Sequence, residues 1–128
     1  MSLHLEREDL PQICRRYMRL GLNRPSLSPF EVYDRIRGTA KSEREAVALL
    51  SFHETVRFLR RCGKQDALRM FCSVYMIPCT YGVARLSKNE VSRRVLRCAI
   101  AEHCDERTVY RKIRLVRRVY QMILAEYQ

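Results

Sequence analysis

Residues 105–127 read DERTVYRKIRLVRRVYQMILAEY, a stretch without proline or glycine that is rich in good helix formers. Apolar residues recur in it at alternating steps of four and three: Val109, Ile113, Val116, Tyr120, Ile123 and Tyr127. Arginines recur at the same alternation on roughly the opposite side: Arg107, Arg111, Arg114 and Arg118. Since an α-helix turns by about 100° per residue, this spacing predicts one helix that buries one face and presents guanidinium groups on the other.

The charges of this helix indicate a partner of opposite sign. Asp105 is suited to cap the helix N-terminus, and Glu106 adds negative charge to the first turn, where the helix dipole favours it. No acidic residue stands between Arg107 and Arg118, whereas an ordinary exposed helix interleaves Glu with Lys or Arg. A polyanion would relieve the repulsion among these arginines, so nucleic acid is the favoured partner. A merely solvated helix face is the alternative.

Composition extends this expectation to the whole chain. Its 128 residues carry a net charge of +11, and of the 25 basic residues four are lysine and 21 are arginine. Such basicity predicts affinity for phosphate backbones or anionic surfaces, and arginine suits bidentate contacts to phosphate and guanine. With 47% hydrophobic residues, the chain can bury a core as one domain, or as two small helical modules that share one.

The sequence lacks the signals of membrane, secreted and metal-binding proteins. No run of about 18 apolar residues predicts a transmembrane helix, and residues 1–10 lack the apolar segment of a signal peptide. The expected location is therefore the cytoplasm. The six cysteines form no C-x2-C pair, and the local group of Cys98, His103 and Cys104 lacks a fourth ligand at suitable spacing. We expect reduced, mostly buried cysteines and neither a metal nor a cofactor.

Capping signals divide the chain into helices and predict an all-α fold. One helix is predicted from Asp9 to Gly21. S-x-x-E capping boxes that begin at Ser28, Ser42 and Ser87 predict the starts of three more helices. No stretch alternates with a period of two residues, so no sheet is expected.

The segments between these starts separate two regions. The helix that follows Ser42 carries a second basic cluster at its C-terminus, which ranks below the first for phosphate contact: Arg57, Arg60, Arg61 and Lys64. The helix dipole alone is the alternative explanation of these charges. Residues 65–76 are apolar on most of their circumference, which favours a buried helix over an oligomer contact. Residues 79–82, CTYG, predict a turn or linker. An N-terminal helical region, 1–80, therefore precedes a basic C-terminal region, 85–128, with one shared core.

The second region contains a helix, a short turn and the long terminal helix. The first helix is predicted to have Val91, Val95, Cys98 and Ala99 facing inward and Arg93, Arg94 and Arg97 facing outward. Two helices joined by three or four residues form the helix-turn-helix arrangement. One residue in such a turn needs a positive φ and is usually glycine, and here His103 or Cys104 occupies that place. Residues 85–118 hold eleven basic and four acidic residues, a net charge of +7, so the charge is densest here.

The segment from Ala99 to Ile113, A-x-A-E-H-C-D-E-R-T-V-Y-R-K-I, resembles the second and third helices of a sigma-factor-like helix-turn-helix. Over about residues 87–124 the chain is similar to small phage regulators of the ArpU/RinA type, whose C-terminal part is like the promoter-reading region four of sigma factors. The resemblance implies a recognition surface of Arg107, Thr108 and Arg111, anchored by Val109 and Ile113, with Glu106 and Arg107 nearest the bases. The family's usual Leu-Gly before the turn is replaced by Glu102-His103.

These features together predict a sequence-specific regulator of transcription that binds duplex DNA and is of phage or mobile-element origin. Arg107 and Arg111 are expected to contact bases or phosphates in the major groove, with Thr108 or Tyr110 on a phosphate. Attraction to the DNA backbone is expected from Arg114, Arg118, Arg93 and Arg94. RNA polymerase or another host protein is the further partner considered.

The apolar stripe of the last helix is longer than a three-helix motif needs, and it allows two interpretations. In the first, it packs on the N-terminal helices of the same chain. In the second, it forms a coiled-coil-like seam of a homodimer, which would suit a two-fold DNA site.

The main rival function is a protein-binding module. A small basic helical protein could bind an acidic or nucleic-acid-binding surface of a host enzyme, as a phage anti-defence (anti-CRISPR-like) inhibitor or adaptor does. RNA ranks lower, because the tyrosines follow the spacing of a helical core rather than a stacking platform. Catalysis is not expected, since the sequence has no Gly-rich phosphate loop, no G-x-S-x-G and no carboxylate pair beside a histidine.

Overall fold

The computed structural model describes residues 9–24, 26–76 and 87–127, and these segments contain α-helices and no strand. The all-α expectation is therefore confirmed. The described helices are α1 (Asp9–Arg19), α2 (Pro29–Thr39), α3 (Glu43–Arg61), α4 (Gln65–Tyr75), α5 (Lys88–Ala101) and α6 (Glu106–Glu126). None of them combines the length with the apolar character that a bilayer crossing requires. The predicted turn at 79–82 lies outside the described residues.

Serine side chains cap the helices where the capping boxes predict them. At the start of α2 the box is complete: Ser28 Oγ accepts from Glu31 N at 3.2 Å, and Ser28 N donates to Glu31 Oε1 at 3.4 Å. At α3, Ser42 Oγ accepts from Glu45 N at 3.1 Å, but the Glu45 carboxylate accepts from Lys41 N instead of Ser42 N. The predicted serine cap is therefore present in both helices, whereas in α3 the Glu45 carboxylate accepts from the backbone N–H of the residue before the cap.

Two helices end at glycines that adopt the left-handed conformation. Gly21 follows α1 with φ 69°, and Gly63 follows α3 with φ 71°. Glycine adopts this conformation without the steric cost that a Cβ would add. After Gly63, Lys64 N donates to Leu59 O at 2.7 Å, so a terminal carbonyl of α3 is satisfied by the backbone.

The chain divides into two compact units. Unit 1 comprises Met1–Arg57 and Tyr120–Gln128, and unit 2 comprises Phe58–Val119. These units divide the chain at other positions than the predicted regions, 1–80 and 85–128. The physical reason is that the long helices α3 and α6 each contribute residues to both units.

The core of unit 1 is built from aromatic side chains of α1, α3 and the end of α6. Phe52 packs edge-on against Tyr17, with ring centroids 5.1 Å apart, and lies 6.3 Å from the ring of Tyr120. The Tyr17 hydroxyl donates to Leu22 O at 3.0 Å and forms a second hydrogen bond, of 2.9 Å, with His53 Nδ1. Because Tyr120 is buried here, this end of the apolar stripe packs on the N-terminal helices, as the first of its two interpretations expects.

Tyr127 ties the end of the chain to α3 within unit 1. Its hydroxyl donates to Glu54 Oε1 at 2.7 Å. Burial, and then the hydrogen bond to the Glu54 carboxylate, raise the pKa of Tyr127 to about 12. The phenol therefore stays protonated, and able to donate, well above neutral pH.

The core of unit 2 is formed by one face each of α4, α5 and α6, and α4 packs against α5. Its buried apolar side chains include Ala67, Met70, Phe71, Val74, Val95, Cys98, Ala99, Val109, Ile113 and Val116. Each large side chain among them contributes about 1.5–3 kcal/mol by leaving water. The predicted burial of the helix at 65–76 is confirmed for one face of α4. This packing fixes which faces of α5 and α6 are exposed.

Candidate nucleic-acid interface

The outer face of α6 carries four exposed arginines, called the α6 row below: Arg107, Arg111, Arg114 and Arg118. On the opposite face Val109, Ile113 and Val116 are buried. The predicted division of this helix into an apolar face and a guanidinium face is confirmed. Steps of three and four residues bring the Cβ atoms of successive side chains of the row within about 5–6 Å of each other. Their charges therefore add up to one positive electrostatic potential along this face.

The turn between α5 and α6 sets the direction of the α6 row. His103 has φ 55°, the one positive φ at a non-glycine position among the described residues, and this confirms the predicted place of that conformation. Cys104 N donates to Ala99 O at 3.0 Å, and Glu102 N donates to Cys98 O at 2.9 Å. These bonds close the C-terminus of α5 in the manner of a glycine-ended helix, although histidine stands at the left-handed position.

Asp105 caps the start of α6, as its position predicts. Its Oδ1 accepts from Thr108 N at 2.7 Å. Hydrogen bonds from the side chain and backbone of Thr108 hold the pKa of Asp105 below its usual value, and the charges of Arg107 and Arg111 act in the same direction. The half-buried Thr108 side chain is thus engaged by the cap, and Tyr110 is likewise half-buried beside the row.

No described acidic residue forms a salt bridge with the α6 row. Lys112, on the flank of the same helix, does have such a partner: its Nζ lies 2.9 Å from Asp66 Oδ2 of α4. The hydrogen bond from Lys112 lowers the pKa of Asp66. Asp66 of α4 therefore provides an acidic partner for Lys112, and no such ion pair reaches the described side chains of the α6 row.

Arg117 is a second cation of α6 with a structural role, which the sequence analysis missed. Its guanidinium carbon lies 5.2 Å from the ring centroid of Tyr75 and 5.8 Å from that of Phe71, both on α4. These distances are those of cation–π contacts. Arg117 falls outside the 107–111–114–118 spacing, and that offset was the available signal that it does not belong to the α6 row.

On α5, Glu90 engages two of the arginines that were assigned to the site. Arg94 Nε donates to Glu90 Oε1 at 3.0 Å, and Arg93 Nη1 donates to Glu90 Oε2 at 3.3 Å. The hydrogen bond from Arg94 is the first cause that lowers the pKa of Glu90, and the charges of Arg93 and Arg97 add to it. Ser87 Oγ caps the same turn by accepting from Glu90 N at 3.1 Å.

The prediction that Arg94 faces outward to attract DNA is wrong. Only 5% of Arg94 is exposed, and its Nη1 donates to the carbonyl of Val74 at 3.0 Å. The reason is its helical position, because Arg94 lies three residues after Val91 and four before Cys98, within the inward stripe of α5. Arg93 and Arg97 are exposed, as predicted.

A salt bridge that the sequence analysis did not anticipate joins α4 to the end of α5. Arg69 Nη2 donates to Glu102 Oε1 at 2.6 Å, and Arg69 Nε lies 3.1 Å from Glu102 Oε2. The hydrogen bonding of Arg69 holds the pKa of Glu102 below its usual value. Thirty-three residues separate the partners, so no local spacing rule could have paired them.

The exposed side of α5 also carries two aliphatic residues. Leu96 is 47% exposed and Ile100 is 68% exposed, and they lie one turn apart beside Arg93 and Arg97. Cys98 faces the other way into the core, and burial raises the pKa of its thiol. Among the described residues, no group of three His, Cys, Asp or Glu side chains is arranged to hold a metal ion.

Comparisons of this chain with protein-family models, with curated proteins and with solved structures found no match.

Proposed function

We propose that this protein is a sequence-specific regulator of transcription that binds duplex DNA through α6. The observation that carries the proposal is the α6 row, four exposed arginines on successive turns with no described acidic partner. Phosphates would provide counter-charges for the row, and guanine edges would provide hydrogen-bond acceptors, neither of which the described residues supply as an ion pair. The row begins in the first turn of the helix, and recognition helices contact base edges with their N-terminal residues.

The geometry supports different roles along the row. Arg107 and Arg111 lie nearest the N-terminus of α6, so we assign them to base edges, where an arginine can donate twice to guanine. Arg114 and Arg118, farther along, are assigned to phosphates, and Tyr110 to a phosphate at the edge of the row. Thr108 supports the site as part of the Asp105 cap.

Two outward arginines of α5 complete the proposed surface. Arg93 is exposed although Glu90 offsets part of its charge, and Arg97 is exposed one turn later. Both would attract the backbone without reading sequence. The resemblance of residues 87–124 to small phage regulators of the ArpU/RinA type agrees with this function and with an origin in a phage or mobile element. RNA polymerase is the host protein such a regulator would influence.

One observation favours a second function, the binding of a host protein. Leu96 and Ile100 form an exposed aliphatic pair beside Arg93 and Arg97, a combination suited to an acidic protein surface with apolar side chains. An aliphatic side chain offers neither charge nor a hydrogen bond, so this pair would not contribute to the binding of phosphates. The variant Leu96→Glu/Ile100→Glu separates the two functions, because it should abolish binding of such a protein and leave the α6 row intact.

Selection from a random pool of duplexes tests the primary proposal. The wild-type protein, Arg107→Ala/Arg111→Ala and the control Arg19→Ala/Arg24→Ala would each be mixed with the pool at about physiological salt, and the bound DNA sequenced. The control removes the same charge from exposed positions of unit 1. We expect wild type and control to enrich the same sequences and the α6 variant to enrich none.

Equal and unselective recovery of DNA by all three proteins would contradict the assignment of α6 as the reading helix. Each bidentate arginine–guanine contact contributes about 1–3 kcal/mol of discrimination, so the loss of two should be visible as roughly a hundredfold loss of preference.

A further inference from the structure

Three exposed cations at the end of α3 and in the turn to α4 have no role in the site described above. Arg60, Arg61 and Lys64, called the turn cluster below, are all exposed and all belong to unit 2. No described residue forms a hydrogen bond or salt bridge with their side chains. The turn cluster thus shares with the α6 row a set of exposed cations that have no ion-pair partner among the described residues, although the charge of Lys64 contributes to the lowered pKa of Asp66.

The end of α3 does not use these side chains as hydrogen-bond donors to its last carbonyls. Basic residues at a helix C-terminus can bond its last carbonyls. Here the backbone does so instead, with Gly63 N donating to Arg60 O at 3.1 Å and Lys64 N donating to Leu59 O at 2.7 Å. Elsewhere in the chain, arginine side chains do donate hydrogen bonds to backbone carbonyls: Arg16 to Thr39 O, Arg35 to Leu20 O and Arg94 to Val74 O.

The start of α4, which directly follows the turn cluster in the chain, is joined to α6 by an ion pair. Asp66 lies two residues after Lys64, and its carboxylate pairs with Lys112 at 2.9 Å. Lys112 directly follows Arg111 in the chain and lies one turn after Thr108, near the N-terminal part of the α6 row. The backbone of the turn is fixed at the same place, since Ala67 N donates to Lys64 O at 3.1 Å.

We propose that Arg60, Arg61 and Lys64 bind backbone phosphates of the same duplex that α6 reads, on the flank of α6 where Lys112 pairs with Asp66. This inference rests on the proposed function of α6. A DNA-binding protein gains position and affinity, but no sequence information, from such contacts. The turn cluster therefore acts as a phosphate clamp beside the reading helix.

The salt dependence of DNA binding tests the clamp. The triple variant Arg60→Gln/Arg61→Gln/Lys64→Gln would be compared with Arg19→Gln/Arg24→Gln/Lys41→Gln, which removes the same three charges from exposed positions of unit 1. Affinity for the duplex selected by the wild type would be measured by fluorescence anisotropy between about 50 and 200 mM salt. Each lost phosphate contact should reduce the slope of log K against log salt by about 0.9.

We expect the turn-cluster variant to lose about 2–3 units of this slope and to keep the wild-type sequence preference. The control should keep the wild-type slope to within about one unit, and Arg60→Lys/Arg61→Lys should do the same because the charges remain. Equal slopes for the turn-cluster variant and the control would overturn the clamp. A wild type that does not bind duplex DNA would instead overturn the function proposed for α6, so the two failures are distinguishable.

Discussion

Helices α5 and α6 carry arginines at similar helical spacing, yet these arginines do different things. On α5, Glu90 accepts hydrogen bonds from Arg93 and Arg94, and Arg94 is almost entirely buried. On α6, four arginines are exposed without a described acidic partner. An arginine-rich helix face is therefore not by itself a binding surface. What matters is whether an acid stands one turn away.

The positions of the acids explain the difference. Glu90 precedes Arg93 and Arg94 by three and four residues, the distances at which side chains of one helix meet. Asp105 precedes Arg107 by only two residues and is engaged by Thr108 N. The cap thus keeps the Asp105 carboxylate away from the α6 row, although its charge and those of Arg107 and Arg111 still influence one another.

Replacement of Arg94 should have the largest effect on stability. Arg94→Ala removes a buried side chain and leaves the Val74 carbonyl without this donor, so we expect the free energy of unfolding to fall by about 2–4 kcal/mol. Urea denaturation followed by circular dichroism measures it. Arg93→Ala, which removes the exposed partner of the same Glu90, should change stability little. Equal losses for the two variants would contradict the structural role of Arg94.

The left-handed residue between α5 and α6 should come next. His103→Val places a β-branched side chain at φ 55°, and we expect a loss of about 1–2 kcal/mol in the free energy of unfolding. His103→Gly removes the Cβ and should leave stability unchanged or raise it by up to about 1 kcal/mol. If both substitutions reduce thermal stability equally, the turn does not depend on this conformation.

Neighbouring arginines of α6 offer a sharper division between structure and binding. Arg117→Ala loses cation–π contacts with Phe71 and Tyr75, and we expect it to lower stability by about 1 kcal/mol. Arg118→Ala should leave stability unchanged and reduce the salt slope of DNA binding by about 0.9. Thermal unfolding and DNA titrations of both variants test this, and a reversed pattern would refute the assignment of the two residues.

The smallest expected effect is a pH dependence of the folding stability that arises from the titration of Glu102. Arg69 lowers the pKa of Glu102 in the folded state, below its usual 4.5. The stabilisation is therefore complete above about pH 4.5 and is lost as the pH falls through the lower, folded-state pKa. Glu102→Gln should melt at a lower temperature than wild type at neutral pH, and the difference should vanish in acid. A difference that is constant down to pH 2 would contradict the role of the ion pair.

Much of the fold, and the part of the candidate site on α6, could be predicted from the spacing of residues that are close in sequence. The serine and aspartate caps, the glycine ends of α1 and α3, and the opposite faces of α6 depend on residues within one or two turns of each other. The same rule, applied to Val91, Val95 and Cys98, places Arg94 on the inward face, whereas the charge of Arg94 alone predicts an outward position. The partners of Arg117, Lys112 and Glu102 lie on α4, tens of residues away, and only the folded chain brings them together.

The most direct test of the central claim is a DNA titration that sets the α6 row against α5. Fluorescence anisotropy on the selected duplex and on pooled duplexes would compare the wild type, Arg107→Ala/Arg111→Ala and Arg93→Ala. We predict that the double variant loses about a hundredfold in affinity for the selected duplex and all preference for it, while Arg93→Ala weakens both duplexes equally and slightly. Wild-type affinity and preference in the double variant would contradict the claim that the exposed arginines of the α6 row read DNA.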